Sequence, residues 1–459
     1  MKSQPTPQPK PAAQSSRREF LSQSGKLLAG SALAGITLPH IHAAEDNTIR
    51  LALIGSGSRG SGAVANAFDS PYGPCKLVAM ADISEKRLEG SHKAISNKYP
   101  TLVDVPPERR FVGFDAYKQA VACLRPGIDI AMCTTYPAFR PVHMEYAISK
   151  GVNVFMEKSF AVDAPGVRRV IKAGEEADKK GLKIAAGLMC RHSVNRQELI
   201  KRIRDGQLGS INLIRAYRME ACGHMSPKRP ADLNELLWQI RNRTHILWVS
   251  GGLWAEMDIH QIDEICWLKD DHYPISAHGI CGRVANSKDA GQGLDSFSVE
   301  YTFADGAKAY DVVRYIPKCY PEFATFVNGT NRAAQFSGAI HVGKVRTYKD
   351  QRIAEDNIDW EAPKEEYTCW QAEWNVLLNS IRKNLPQNEA KRAALSNLTG
   401  LMGRAAMHMG RIVTWEEMLK SNFELCPGID QMNENSKPPV MPDANGYYPV
   451  PVPGVWNEV

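Results

Sequence analysis

The 459-residue sequence has little charge of one sign. Its 56 basic and 50 acidic side chains leave a formal charge of +6. Residues 1–44 hold Lys2, Lys10, Arg17, Arg18 and Lys26 against Glu19, so the remainder is nearly balanced. That argues against nucleic acid or an anionic membrane as partner. The ten cysteines are scattered, with no CxxC and no metal-finger spacing, and read as mostly buried small apolar residues. Internal repeats and low complexity are absent, and the 9 Trp, 15 Tyr and 13 Phe exclude collagen and full-length disorder. No segment after the leader is apolar over the ~20 residues that a membrane-spanning helix requires. What remains is a globular chain of two or three domains at roughly 100–200 residues each.

The leader runs Ser16-Arg17-Arg18-Glu19-Phe20-Leu21 into an apolar stretch from Leu27 to Leu38, then Ile41-His42-Ala43. Paired arginines before Phe-Leu and a short apolar run predict a twin-arginine signal peptide over residues 1–44. The twin-arginine export machinery would then be a partner and the periplasm the destination. That route carries folded proteins, which implies a cofactor inserted before export.

From Asn47 onward strands and helices alternate. Ile49 to Ile54, Cys75 to Ala81, Ile128 to Cys133 and Val152 to Met156 read as buried strands of a parallel sheet. After Ala186 the strand-like segments are Ile211 to Arg218, Ile275 to Val284, Ser296 to Phe303, Ala307 to Tyr315 and Ala324 to Asn328, with a turn at Ala304-Asp305-Gly306. Glu373 to Lys383 and Ala390 to His408 read as helices that return to the first domain. The fold class expected is α/β: a doubly wound Rossmann sheet over residues 45–186, then an α+β domain over 187–426 with an open, mainly antiparallel sheet. Residues 427–459 read as an extended arm.

Chemistry concentrates in three places. Gly55-x-Gly57-x-x-Gly60 lies between a strand and a helix, with Asp82 at the end of the next strand. This is the pattern of a turn that admits a pyrophosphate and a carboxylate that accepts ribose hydroxyls. Ser58 and Arg59 belong to the same turn. Asp82 would repel a 2′-phosphate, so NAD is expected in preference to NADP. Glu157-Lys158-Ser159 follows a strand end, where a lysine reaches the ligand crevice and can assist proton removal; a solvated ion pair is the alternative. Trp254, Met257, Ile259, Ile262 and Ile265 predict one amphipathic helix with Glu256 and His260 at i and i+4 on one face. A carboxylate beside an imidazole suits a general base, though a helix-stabilising pair or a core histidine fits the same spacing. Asp258 falls on another face, so no metal site is expected.

Together, strand–GxGxxG–Asp, Glu-Lys at a strand end, and Gly251-Gly252 followed by Glu256-x-x-x-His260-x-x-Asp263 resemble the glucose–fructose oxidoreductase/inositol dehydrogenase (Gfo/Idh/MocA) family. The likeness runs from about Asn47 to Trp415. It implies that Lys158 and His260 are the acid/base pair, with Glu256 beside His260. It also implies that Glu157 touches the nicotinamide ribose and that Thr134 and His143 border the cofactor. Glu-Lys-Ser replaces the family's usual Glu-Lys-Pro, and the loop from Thr134 to His143 is longer than the common form. Arg191, Glu220, Arg241 and His245 are candidate substrate contacts, with His192, His224 and Asn242 near them in the sequence. The resemblance implies an oxidoreductase acting at a secondary alcohol of a sugar, cyclitol or glycoside, and homo-oligomers formed through the C-terminal sheet. A redox-neutral glycoside hydrolase and a non-catalytic sugar-binding protein are the alternatives.

Overall fold

The computed structural model describes residues 47–221, 225–285, 287–338, 341 and 343–459. The leader and His224 lie outside the described residues. Six parallel strands form the first sheet: β1 (Ile49–Ile54), β2 (Cys75–Asp82), β3 (Arg110–Val112), β4 (Ile130–Cys133), β5 (Asn153–Met156) and β6 (Ile184–Ala186). Their order is β3-β2-β1-β4-β5-β6, that of a doubly wound dinucleotide fold. Helices α1 (Ser58–Phe68), α2 (Glu85–Lys98), α3 (Ala116–Ala122), α4 (Arg140–Ser149) and α5 (Ala164–Lys179) connect them. Both faces are covered, which is why β1 is buried at every position but Arg50.

Register makes the site. Ile54 pairs with Ala81 and with Cys133, Cys133 with Met156, and Met156 with Ala186. The carboxyl ends of β1, β2, β4, β5 and β6 thus stop on one line. Gly55, Thr134, Glu157 and Gly187, which follow their strands, and Asp82, the last residue of β2, form one rim. Because the strand order reverses between β1 and β4, a crevice opens there.

Helix α6 (Val194–Arg204) leads into β7 (Ile211–Met219) of a nine-stranded sheet. Four helices follow: α7 (Glu235–Arg241), α8 (Leu247–Ser250), α9 (Gly252–Met257) and α10 (Ile259–Leu268). Then come β8 (Ser276–Gly282), β9 (Ser296–Thr302), β10 (Lys308–Arg314), β11 (Glu322–Gly329), β12 (Ala333–Gly338), β13 (Arg346–Tyr348) and β14 (Ile358–Glu361). The sheet is antiparallel except where β10 runs parallel to β7, matching the mainly antiparallel sheet expected. Gly306, at φ +86°, makes the turn between β9 and β10. The sequence reading did not include β3, β13 or β14, which are short, or β12, whose sequence Ala-Ala-Gln-Phe-Ser-Gly has only one large apolar residue.

Helices α11 (Cys369–Lys383) and α12 (Ala390–Met409) come late, followed by β15 (Val413–Thr414) and α13 (Trp415–Lys420). Helix α11 lies on α1: Gln371 donates to the Asn66 carbonyl at 2.9 Å, and Trp374 packs on Phe155 at 4.5 Å between ring centroids. Leu398, Leu401 and Ala405 of α12 join Ile54 and Met156 of the first sheet to Val299 and Tyr301 of the second in one apolar core. Each such buried aliphatic side chain contributes ~1.5–3 kcal/mol. The segment after Pro427 holds a short helical turn at Ile429–Gln431 and further turns, among them Asp443 to Gly446 and Val452 to Val455. It carries buried Tyr448 and Glu458, and Glu458 pairs with Arg404 at 3.0 Å.

Candidate active site

The glycine turn is fixed by close approach. Gly55 has φ +97°, and a Cβ there would lie 2.6 Å from the Thr135 nitrogen. A Cβ on Gly60 would meet the Gly55 carbonyl at 2.6 Å and Thr134 Oγ1 at 2.7 Å. Gly57, the N-cap of α1, has open space where its Cβ would point, and no side chain caps that helix. Its first-turn N–H groups are left for water or an anion.

Asp82 is held against this turn. One carboxylate oxygen accepts from Ser56 N at 2.7 Å and the other from Ser84 N at 2.8 Å. Burial raises its pKa above the usual carboxylate value, opposed by those N–H donors and by Arg87. Asp82 borders a cleft of about 670 Å³ open to solvent, which is also lined by Gly57, Arg87, Tyr117, Thr134 and His143. Thr134 donates to the Gly55 carbonyl at 2.6 Å, and the ring of His143 lies 4.3 Å from that of Tyr117. Burial, reinforced by Arg140, lowers the His143 pKa to about 3, so its imidazole is neutral.

At the end of β5, Glu157 accepts from Arg59 Nε at 2.6 Å and so ties α1 to β5 across the crevice. Ser58, beside Arg59, is exposed. Lys158 Nζ donates to the Glu256 carbonyl at 2.5 Å. Removal from water lowers its pKa to about 8, with Glu256 acting in the opposite direction. Where the family has proline, Ser159 is buried and donates to the Ala255 carbonyl, while its own carbonyl accepts from Arg140. These bonds tie the lysine's turn to α9.

The expected single helix around His260 is two helices. The chain breaks at Asp258, which is wholly buried and lies close to the buried carboxyl of Asp311 of β10. Burial raises both carboxyls, Asp258 to about 7. The i, i+4 relation of Glu256 to His260 is therefore lost. Glu256 instead pairs with Arg243 at 3.0 Å, and no ion pair joins it to His260 among the described residues. His260 packs on His341, with ring centroids 4.3 Å apart. Burial, together with His341 and Lys158, holds the His260 pKa well below that of free histidine.

No family model matches the chain. An inositol 2-dehydrogenase of Agrobacterium fabrum is 26% identical over 238 residues, 52% of this chain and 59% of that protein. The matched region thus spans little more than half the length of that relative. Among solved structures, an aldose-aldose oxidoreductase from Caulobacter crescentus, complexed with glycerol, superposes with a TM-score of 0.61 at 19% identity, covering 80% of this chain and 99% of that one. The scyllo-inositol dehydrogenase of Lactobacillus casei with bound NAD(H) and scyllo-inositol gives 0.59 at 20% identity, covering 80% and 99%. The fold is that of the Gfo/Idh/MocA oxidoreductases.

Within that Gfo/Idh/MocA fold, the residues read from sequence as substrate contacts separate. Arg191 is buried and pairs with Asp263 at 2.8 Å and with Asp271 at 2.7 Å. His192 pairs with Glu389 at 3.2 Å. His245 is buried against Asp289 at 2.7 Å, and Glu220 accepts from Arg218 at 2.8 Å. Asn242 donates to the Trp238 carbonyl, and Arg241 is exposed at the end of α7. The sequence reading passed over Arg87, whose guanidinium donates to Tyr136, and Tyr117 on the cleft wall. Arg87 is five residues beyond Asp82, a spacing that could have shown it. Nothing local marks His341, which reaches His260 only through the second sheet.

Proposed function

We propose that the protein oxidises a secondary alcohol of a sugar, cyclitol or glycoside, using a tightly held nicotinamide dinucleotide. The observation that carries this reading is the placement of Lys158 on the same strand-end rim as Gly55 and Asp82. The residues present fit the cofactor. Gly57 leaves room at the N-terminus of an 11-residue helix, and Asp82 presents a fixed carboxylate to the cleft. Gly55, Gly57, Gly60 and the first turn of α1 would hold the pyrophosphate, and Asp82 a ribose. Thr134, His143 and Glu157 would border the nicotinamide end. The Asp82 carboxylate favours NAD over NADP. When bound, the dinucleotide supplies the hydride acceptor.

The chain's own side chains manage the proton. A lysine titrating near 8 is in part a free amine at neutral pH, so Lys158 can accept the proton of the reacting hydroxyl. His260, neutral and close to Lys158, is the second proton carrier of the pair. Glu256 acts through position: its backbone carbonyl orients Lys158 Nζ and its carboxylate holds Arg243.

The Arg17-Arg18 leader supports export to the periplasm, and with it a closed redox cycle in which the nucleotide is never released and the hydride passes to the carbonyl of a second sugar or back to the same glycoside. The Caulobacter relative by fold, named for an aldose-aldose reaction, supports the same idea. His278, Ile280 and Tyr310 are exposed on one face of the second sheet, which supports association of copies there. The test is mass spectrometry of nucleotide released from purified protein, then assay of exhaustively dialysed protein, without added nucleotide, on polyols paired with an aldose as hydride acceptor and on aryl glycosides. Bound NAD and turnover in its presence alone support the proposal. Activity only with stoichiometric NAD in solution would refute the closed cycle. Hydrolysis without net oxidation would favour the redox-neutral alternative.

A further inference from the structure

Cys190, His260 and His341 come from distant parts of the chain. Cys190 sits in the short turn Met189–His192 after β6, His260 in the first turn of α10, and His341 just beyond β12. All three are buried, and one donor atom from each lies within 4.8 Å of the other two. Cys190 Sγ is 3.9 Å from His341 Nδ1, and the two imidazoles lie 4.3 Å apart at 60°. Nδ1 of His260 is buried without a hydrogen-bond partner, an orphan that a protein interior rarely tolerates. The His341 backbone is anchored by Arg196, which donates to its carbonyl at 3.0 Å, and Phe323 packs edge-on at 4.7 Å.

We infer that Cys190, His260 and His341 bind a divalent transition-metal ion, with Zn²⁺ the best match to the donors. One thiolate and two imidazoles select borderline-soft cations over Mg²⁺ or Ca²⁺. Three protein ligands leave a fourth position open, the arrangement of catalytic zinc. Binding replaces the Cys190 S–H bond with an S–metal bond, and the proton leaves to solvent. Two neighbouring guanidiniums do not forbid the ion, because each faces a carboxylate: Arg196 with Glu264 at 3.5 Å and Arg218 with Glu220 at 2.8 Å. The inference goes against the sequence expectation of no metal, because the third and first ligands meet only in the folded chain. It deepens the proposed alcohol oxidation and rests on that reading for its role: in the metal-free protein His260 is the second proton carrier, whereas in the loaded protein it is a ligand and Lys158 carries the proton.

The test uses the full chain, stripped with a chelator, dialysed and titrated with Co²⁺ and Zn²⁺. One equivalent of Co²⁺ should bind with a thiolate-to-metal charge-transfer band, and Zn²⁺ should displace it. Cys190→Ser should abolish that band. Loss of a ligand should weaken binding by more than the ~100-fold upper range for second-shell losses. His341→Gln should weaken binding as much while leaving the thiolate available, so the test survives if one variant fails to fold. Absence of stoichiometric binding, or a cobalt spectrum unchanged by both substitutions, would overturn the site. Nucleotide content, measured on the same preparations, reports separately on the dehydrogenase reading.

Discussion

Replacing Glu458 by glutamine keeps the shape of a wholly buried side chain and removes its charge. In the native protein that carboxylate accepts from Arg404 Nε at 3.0 Å and Trp456 Nε1 at 3.2 Å, with His408 Nδ1 at 3.4 Å. These partners outweigh burial and hold its pKa at about 2 rather than 4.5. At roughly 1.4 kcal/mol per unit, the difference amounts to about 3 kcal/mol of native stability at pH 7. Breaking a buried ion pair from one side gives a similar figure, about 3–5 kcal/mol, since Arg404 is left charged and without its counter-ion. The folded pKa is depressed, so the contribution is complete above pH ~4.5 and is lost as pH falls towards 2. Urea unfolding of Glu458→Gln against the parent should therefore show a gap of about 3 kcal/mol at pH 7 that shrinks by about half at pH 3. A gap below about 0.5 kcal/mol at pH 7, the range of an ordinary surface substitution, would refute the reasoning. So would a gap that does not change with pH. Arg404 also donates to the Gly251 carbonyl at 3.3 Å, so the variant should loosen the turn entering α9.

Turnover in the oxidising direction should rise with pH through an inflection near 8, because Lys158 must lose its proton before it can accept another, and Lys158→Met should abolish that inflection. His260→Ala should lower turnover by about 10²–10⁴-fold with nucleotide retained, and near-normal rates would remove it from the mechanism. Asp82→Ala should reduce the preference for NAD over NADP by on the order of ten- to a hundredfold, the worth of a charge-assisted hydrogen bond, as read by calorimetric titration of the empty protein. Gly60→Ala should lose nucleotide while remaining folded at lower stability, because its methyl would press on the Gly55 carbonyl at 2.6 Å; unchanged nucleotide content would contradict the close-packing argument.

Much of the first sheet was legible because its signals are local. Ile49 to Ile54 followed by Gly55, Gly57 and Gly60 states a strand, a turn and a helix within a dozen residues, and Asp82 falls at the end of the next apolar run. The position of Lys158, two residues past the end of β5, was legible in the same way. The helix carrying His260 was misread because the apolar spacing from Trp254 to Ile265 continues through Asp258, with no proline or glycine to mark the break. Asp258 is buried near the carboxyl of Asp311, which lies far along the chain and gives no local signal. Arg191 illustrates a different difficulty: its sequence neighbours suit a polar site, but Asp263 and Asp271 occupy its guanidinium. The meeting of Cys190 with His341 is set by topology alone.

Trp374 has a consequence for how this protein is made. Its indole, with Leu377 and Leu378, completes the apolar cluster beneath Phe155 and Met132 in the first sheet. A ribosome therefore releases β1 through β6 long before the segment that closes their core exists. Until then the nascent nucleotide-binding half exposes a Trp-sized apolar gap on one face, two residues upstream of Glu157. Such long-range closure slows folding and leaves the early half prone to aggregation. A fragment ending near residue 186 should behave in the same way. In the full chain, α11 docking is the step after which the nucleotide-binding half has its complete core.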